Sequence, residues 1–267
     1  MTDPILHFAH ANGFPVATYQ RFLKPLAEGF TLHSTDFLGH HPDFPVTNNW
    51  FSLCDHLIHD IEQHGQPIVG VGHSLGGGLM FMVSLMRPEL FRAVYVLDVP
   101  LMTFWESSVL ALLKRTPWRD RVTPAGRAMK RRAVWPSQED AFAYWRTRPL
   151  FRRFPDDVLW DYVHAVTEQN ASGDWSLRFR PDVEAHIFRT YPTNWVRHYR
   201  RRHVGLQVVV GQDTRLVKPH HRQMMAQKLG IPVHEVAGGH LFPLELPEAS
   251  AHELRQLMAN SGVLPHA

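Results

Sequence analysis

The chain has 267 residues, of which 44% are hydrophobic and 20% are charged, and its formal net charge is +3. These values are ordinary for a soluble globular protein, and the length fits one large domain or a core domain that carries an insertion. The single cysteine, Cys54, excludes an internal disulfide and fits a reducing compartment. Residues 1–15 lack the pattern of a secretory signal, and no stretch reaches the roughly 18 apolar residues of a membrane helix, so we expect a cytoplasmic protein without membrane association.

Two strands and a helix are predicted before residue 66. The apolar residues 5–9 predict a buried strand, and turn-forming residues follow it at 10–15. Residues 31–35 predict a second strand. Residues 49–64 carry apolar side chains at helical spacing, and Gly65 ends that helix.

A short glycine-rich stretch then joins a β-prone run at 68–71 to an apolar helical run at 79–86. Its residues Gly72-His73-Ser74-Leu75-Gly76 match the G-x-S-x-G pattern in the required order of strand, sharp turn and helix. Such a turn strains the serine backbone and brings the two flanking glycines so close together that a Cβ would clash. The N–H groups that open the helix favour negative charge beside the serine. The stretch therefore predicts that Ser74 is a nucleophile.

The character of the chain changes after a strand predicted at 93–97, which Asp98 follows. Residues 101–204 show no clear strand alternation and hold seven of the eight tryptophans. They carry 19 Lys and Arg against 11 Asp and Glu, a formal charge of +8, which leaves −5 for the rest of the chain. This shift in composition predicts an inserted helical segment and not a continuation of the sheet.

The strand pattern resumes at 206–210, and a last strand is predicted at 232–236. Helices are predicted at 218–229 and 247–258. Strands that alternate with helices indicate a parallel sheet with helices on both faces, and such sheets carry their sites at the carboxyl ends of the strands. The residues that follow predicted strands and could carry chemistry are Ser74, Asp98, Asp213 and His240.

With the serine motif, an acid after a later strand and a Gly-Gly-His sequence near the C-terminus, the chain resembles the α/β-hydrolase superfamily. The resemblance covers residues 1–100 and about 205–260. It implies an α/β fold with a mostly parallel sheet of about six strands, the family's leading hairpin missing, and helices on both faces. Residues 1–100 and 205–267 would form the core, and residues 101–204 a helical cap.

The resemblance also assigns roles by position. Ser74 resembles the family's nucleophile and His240 the base that accepts its proton. The N–H of Leu75 corresponds to one oxyanion donor. Because His10-Ala11-Asn12 resembles the family's His-Gly-X loop, the N–H of Asn12 corresponds to the second donor, with Ala11 in place of the usual glycine.

The acid of the triad is less regular. Many members of the family place it in a Gly-x-x-Asp sequence after a late strand, but here the fourth position is Thr214 and Asp213 lies one residue early. Asp98 follows the strand that comes after the nucleophile. This position resembles that of a branch of small bacterial esterases, in which the acid follows the same strand, the sixth of the family's fold. We favour Asp98 and keep Asp213 as the alternative.

These residues predict a serine hydrolase that acts through an acyl-enzyme and needs no cofactor, most simply a carboxylesterase for short- to medium-chain acyl esters. Serine at position 74 argues against the dehalogenases and epoxide hydrolases of this fold. Alternatives are an acyl-CoA thioesterase, a lysophospholipase, a carbon–carbon bond hydrolase and a non-catalytic ligand-binding protein. The oligomeric state is left open.

Two further classes of site are weighed and not favoured. The 19 histidines include the adjacent pairs His40-His41 and His220-His221, but no third ligand lies at a fixed spacing, so we expect no metal site. A sequence pI near 9.2 is typical of nucleic-acid-binding proteins, but no recognition motif is present.

The arginines of 101–204 could attract a phosphate-bearing substrate, although a solvated basic face is the simpler interpretation. The tryptophans of 101–204 could line an acyl pocket, although the core of a small helical layer is the simpler interpretation.

Overall fold

The computed structural model describes residues 3–116, 119–194, 199 and 205–264. Six strands form one parallel sheet, and three short strands form a separate antiparallel sheet. In chain order the strands are β1 (Ile5–Ala9), β2 (Thr31–Thr35), β3 (Ile68–His73), β4 (Phe91–Leu97), β5 (Val134–Trp135), β6 (Thr167–Gln169), β7 (Trp175–Leu177), β8 (Leu206–Gly211) and β9 (Val233–Val236). The large sheet has the order β2-β1-β3-β4-β8-β9. Its six strands lie within two residues of the predicted ones, which confirms the predicted fold class.

Helices cover both faces of the large sheet, as the alternation of strands and helices predicts. The α-helices of the described residues are α1 (Gln20–Leu26), α2 (Phe51–Glu62), α3 (Leu75–Met86), α4 (Phe104–Leu113), α5 (Arg119–Val122), α6 (Ala125–Ala128), α7 (Gln138–Arg146), α8 (Asp156–Val166), α9 (Pro181–Arg189), α10 (Pro219–Gln223), α11 (Phe242–Glu245) and α12 (Pro247–Asn260). None of them is both long and apolar enough to cross a membrane.

The sheet divides the core into two apolar layers. Along β4, Val94 and Val96 face a cluster that includes α2 and α3, whereas Tyr95 and Leu97 face a cluster that includes α1 and α12. Successive side chains of a strand point to opposite faces, so a strand that is apolar throughout must be covered on both. This double burial explains why the strands appear in the sequence as continuous apolar runs.

Residues 101–204 leave the large sheet after β4 and return to it before β8, and these two strands are neighbours. We call this segment the insertion. It contains helices α4 to α9 and also the small antiparallel sheet of β5, β7 and β6, which the sequence did not predict. Strands of two or three residues are too short to show the alternation that reveals a strand. Two tryptophans stand opposite each other in this sheet, Trp135 and Trp175.

Two predicted helices differ in detail. The helix predicted at 49–64 begins with a 3₁₀ turn at Asn48–Trp50, and its α-helical part is α2. The helix predicted at 218–229 is α10 followed by a π-helical turn at Met224–Lys228. The 3.6-residue pattern of apolar side chains does not distinguish an α-helix from a short stretch of wider or tighter turns.

Candidate active site

The turn between β3 and α3 holds Ser74 in a strained backbone conformation. Its φ is 51° and its ψ is −109°, which is unusual for a residue that is not glycine. A Cβ on Gly72 would overlap the Gly76 carbonyl, and a Cβ on Gly76 would overlap the Ala9 carbonyl. The close approach expected from the motif is therefore present, and both glycines are required for it.

An acid and a histidine meet at the carboxyl edge of the sheet. The Nδ1 atom of His240 lies 2.7 Å from Oδ2 of Asp98, which is fully buried. Two further donors hold the same carboxylate: the Gly211 N–H donates to Oδ1 at 3.0 Å, and the Thr214 hydroxyl donates to Oδ2 at 2.6 Å. A carboxylate fixed in this way orients the imidazole and leaves its Nε2 available to accept a proton.

The alternative acid lies elsewhere. Asp213 is exposed, and its carboxylate accepts a hydrogen bond from Arg153 at 2.8 Å. Thr214 occupies the position where the family pattern places an acid, and it donates a hydrogen bond to Asp98. Of the two candidates, the structure brings only Asp98 to His240.

Both candidate oxyanion donors line the cavity that contains Ser74 and His240. Leu75 is the first residue of α3, so its N–H has no acceptor within the helix. Asn12 follows β1, and its side-chain amide donates to the backbone carbonyl of Glu184 at 3.0 Å. Among the described residues the backbone N–H of Asn12 donates no hydrogen bond. Two backbone N–H groups are thus available at the cavity that Ser74 lines.

A buried chain of hydrogen bonds that the sequence did not reveal links these parts. The Ala11 N–H donates to the Tyr19 hydroxyl at 3.3 Å, and that oxygen lies 2.8 Å from Nδ1 of His73. Nε2 of His73 lies 2.9 Å from the backbone oxygen of His240, so it carries the hydrogen and Nδ1 accepts from tyrosine. Burial lowers the pKa of His73 to about 3, which keeps this ring neutral. Nothing in the spacing of these residues indicates that they meet.

The cavity has a volume of about 900 Å³ and lies between the sheet edge and the insertion. Apolar and aromatic side chains form most of its wall, including Trp145, Phe151 and Phe188 from the insertion. Of the insertion's tryptophans in the described residues, Trp145 lines this cavity, whereas Trp135 is fully buried and Trp105 is exposed. Trp118 and Trp195 lie outside the described residues. For most of these tryptophans, an acyl-pocket role receives no support.

One histidine pair has a third polar partner in space. Nε2 of His220 and of His221 lie 2.9 and 3.0 Å from Oε1 of Glu106 on α4, a group that no sequence spacing connects to them. The Lys218 N–H donates to Nδ1 of His221, so Nε2 of that ring carries a hydrogen and donates to the carboxylate. A metal ligand needs a lone pair at that nitrogen, so this arrangement is a hydrogen-bonded link between α4 and α10.

A six-stranded parallel sheet with a serine in a strained strand-to-helix turn is the architecture of an α/β hydrolase. A profile of the Alpha/beta hydrolase family matches residues 8–253, which is most of the chain. The chain belongs to this family.

Two curated relatives match part of the chain. It is 30% identical over 118 residues to the Type I acyl-CoA thioesterase mpaH' of Penicillium brevicompactum, a match that covers 41% of this chain and 27% of the relative. It is 31% identical over 91 residues to the Type I acyl-CoA thioesterase mpaH of the same organism, covering 32% of this chain and 18% of the relative. The chain thus matches less than a third of the length of either relative.

Solved structures share the fold over nearly the whole chain. An E-2-(acetamidomethylene)succinate hydrolase superposes with a TM-score of 0.77 at 20% identity, covering 97% of this chain and 92% of the other. The thioesterase domain from the curacin biosynthetic pathway gives 0.73 at 16% identity, covering 96% and 91%. An esterase of M. tuberculosis gives 0.72 at 18% identity, covering 97% and 86%. At these identities the likeness concerns the fold alone.

Proposed function

We propose that this protein is a serine hydrolase that transfers an acyl group to water through Ser74, His240 and Asp98. The observation that carries the proposal is the 2.7 Å contact between His240 Nδ1 and Asp98 Oδ2 at a cavity that Ser74 also lines. A buried acid, a histidine and a serine in a strained elbow are the parts that nucleophilic acyl transfer needs.

In the proposed mechanism, Oγ of Ser74 attacks the carbonyl carbon of the substrate while His240 accepts the hydroxyl proton. The Leu75 and Asn12 N–H groups stabilise the oxyanion, and removing one such donor typically costs about 3 kcal/mol. His240 then gives its proton to the leaving group as the acyl-enzyme forms. It next activates water, which releases the acid and restores Ser74. These steps need no cofactor.

The wall of the cavity supports the substrate class that we propose. A cavity of about 900 Å³ with an apolar and aromatic lining suits a short to medium acyl chain, so a carboxylesterase is our first candidate. In this proposal, residues 1–100 and 205–267 form the catalytic core, and the insertion acts as a cap that selects the acyl group. A thioester is the second candidate, because both curated relatives are described as acyl-CoA thioesterases.

The first test measures hydrolysis of p-nitrophenyl esters from acetate to palmitate by the wild type and by Ser74→Ala. We expect the rate to peak at short or medium chains and to fall by several orders of magnitude in the variant. Ser108→Ala, which removes an exposed serine of α4, is the matched control and should keep the wild-type rate.

Labelling with a fluorophosphonate separates an enzyme from a binding protein. A serine hydrolase should be labelled in the wild type and in Ser108→Ala but not in Ser74→Ala. Folded wild-type protein that is neither labelled nor active on any ester or thioester would contradict the proposal and favour a non-catalytic ligand-binding protein.

A further inference from the structure

Basic side chains gather on the wall of the candidate active-site cavity. Arg127 and Lys130 come from α6 and the residues after it, Arg148 follows α7, and Arg215 lies in the loop after β8. All four residues are exposed, although they line the same cavity as Ser74. Their charges therefore lie at its solvent end, and we call these four residues the basic mouth.

The acids of the cavity wall do not neutralise the basic mouth. Asp98 is held by His240, Gly211 and Thr214. Glu184 forms an ion pair with the half-buried Arg131, whose Nη1 lies 2.9 Å from its carboxylate. Among the described residues, no carboxylate lies within ion-pair distance of the four side chains of the basic mouth.

Other arginines of the insertion do pair with acids. Arg189 binds Asp120 through two nitrogens, Arg180 binds Asp182, and Arg146 binds Asp156. Within the described part of the chain, the four cations of the basic mouth have no acidic partner, and four such charges around one cavity form a positive field that attracts an anion.

One member of the basic mouth is held in place without losing its hydrogen-bond donors. The guanidinium carbon of Arg148 lies 4.0 Å from the centre of the Tyr144 ring, which also lines the cavity. A guanidinium stacked on an aromatic ring keeps its N–H groups at its edge, where they match the oxygens of a phosphate.

We propose that the basic mouth binds the phosphate groups of a coenzyme A thioester while the acyl carbonyl lies at Ser74. This inference rests on the proposed serine hydrolase function and extends it to the leaving group. The acyl chain would occupy the apolar interior, and the thiol half would pass through the opening, where its phosphates meet the four cations. In the reaction the carbon–sulfur bond breaks, the thiolate takes a proton from His240, and water supplies the oxygen of the released acid.

The test compares two thioesters with the same hexanoyl group, one on coenzyme A and one on N-acetylcysteamine, which lacks phosphate. The readout is the ratio of their kcat/KM values. Each of Arg127→Gln, Lys130→Gln, Arg148→Gln and Arg215→Gln should lower this ratio by about twofold to fivefold, as expected for solvent-exposed ion pairs. The fourfold variant should lower it by roughly 16-fold or more, which is the product of four twofold effects when their free energies add.

Arg92→Gln is the matched control. Arg92 is exposed near the amino end of β4, opposite the candidate site, and it does not line the cavity. The substitution Arg92→Gln removes one positive charge and should leave the ratio of the two kcat/KM values at that of the wild type. Raising NaCl from about 50 to 300 mM should also lower the ratio for the wild type, because salt screens exposed charges. A ratio that is unchanged in the fourfold variant, or that falls equally in Arg92→Gln, would overturn the proposal.

Binding provides a readout that does not depend on turnover. In a Ser74→Ala background, calorimetry should show that hexanoyl-coenzyme A binds at least threefold more weakly after Arg148→Gln and Arg215→Gln are added together, and equally tightly after Arg92→Gln. Equal affinities in all three proteins would overturn the proposal that the basic mouth binds coenzyme A. If the wild type hydrolyses no ester or thioester, the proposed function fails, and this binding difference alone then decides the inference.

Discussion

At the scale of single residues, the acid of the proposed triad can be tested by two isosteric substitutions. Asp98→Asn removes the charge that faces His240, and it should lower kcat on an activated ester by about 10⁴-fold, because the imidazole loses its orienting partner. Asp213→Asn makes the same chemical change at an exposed carboxylate bound to Arg153, and it should change kcat by no more than a few-fold. Comparable small losses in the two variants would contradict the assignment of Asp98.

The buried chain through Tyr19 makes a second prediction at this scale. Tyr19→Phe leaves the Ala11 N–H and His73 Nδ1 without their partner, so the free energy of unfolding should fall by about 1–3 kcal/mol. Because the chain joins the loop of Asn12 to the backbone of His240, kcat should fall more than KM rises.

Tyr95→Phe is the control for that prediction. It removes the hydroxyl of another buried tyrosine, Tyr95 on β4, which lies outside the chain of hydrogen bonds. Urea unfolding and steady-state kinetics on the same preparations give both quantities. If Tyr19→Phe and Tyr95→Phe affect kcat equally, Tyr19 has no positioning role.

The sequence predicts these residues unevenly, for a physical reason. Ser74 stands out because its strained turn imposes glycines at fixed spacing, and a local constraint leaves a local pattern. The sequence favours Asp98 but keeps Asp213 as the alternative, because the contact that distinguishes them joins Asp98 to His240, 142 positions further along the chain. Tyr19 and His73 meet only in the folded chain, so neither could be linked in advance.

At the scale of elements, the contact between the elbow and its neighbouring strand makes a prediction about stability. Gly76→Ala places a methyl group against the Ala9 carbonyl of β1, which cannot move without disturbing the sheet. The free energy of unfolding should fall by about 3 kcal/mol or more. Gly65→Ala is the control, because its Cβ meets open space and only the positive φ is penalised, at about 1 kcal/mol.

Urea unfolding of both glycine variants against the wild type measures the difference. Equal losses would mean that α3 shifts away from β1 at little cost, and that the elbow does not depend on this contact.

The elements of the core could be predicted and those of the insertion could not. Strands covered on both faces form uninterrupted apolar runs, and the helices between them repeat every 3.6 residues. The strands β5, β6 and β7 have two or three residues each, and their pairing depends on partners up to 42 positions apart, such as Val134 and Ser176. Composition therefore predicts a separate segment at 101–204 but not the pairing of its short strands.

At the scale of the whole molecule, buried histidines make stability depend on pH. Burial lowers the pKa of His7 and of His73 to about 3, from an ordinary value of 6.5. Between these two values the unfolded chain binds more protons than the folded one. The stabilisation is therefore complete above pH 6.5 and is lost as the pH falls toward 3. Each histidine contributes a slope of up to roughly 1.4 kcal/mol per pH unit.

Urea unfolding at about pH 7, 6 and 5 measures this slope for the wild type and for two variants. His7→Gln removes one of these buried rings and should make the slope shallower by up to roughly 1.4 kcal/mol per pH unit, which corresponds to one proton. His59→Gln removes an exposed histidine and should leave the slope unchanged. A wild-type free energy of unfolding that is constant over this range would contradict the prediction.

The insertion departs from β4 and returns at β8, and these strands pair directly from Val94–Leu206 to Leu97–Val209. The pairing of β4 with β8 therefore brings the two ends of the insertion to neighbouring strands, and the Tyr199 hydroxyl, which donates to the Met102 carbonyl at 2.8 Å, also links them. We therefore expect that a segment of different length can join β4 to β8 without changing the strand order of the large sheet, provided that it covers the same apolar core. Replacing the insertion as a whole would thus change the wall of the cavity and leave Ser74, Asp98 and His240 in place.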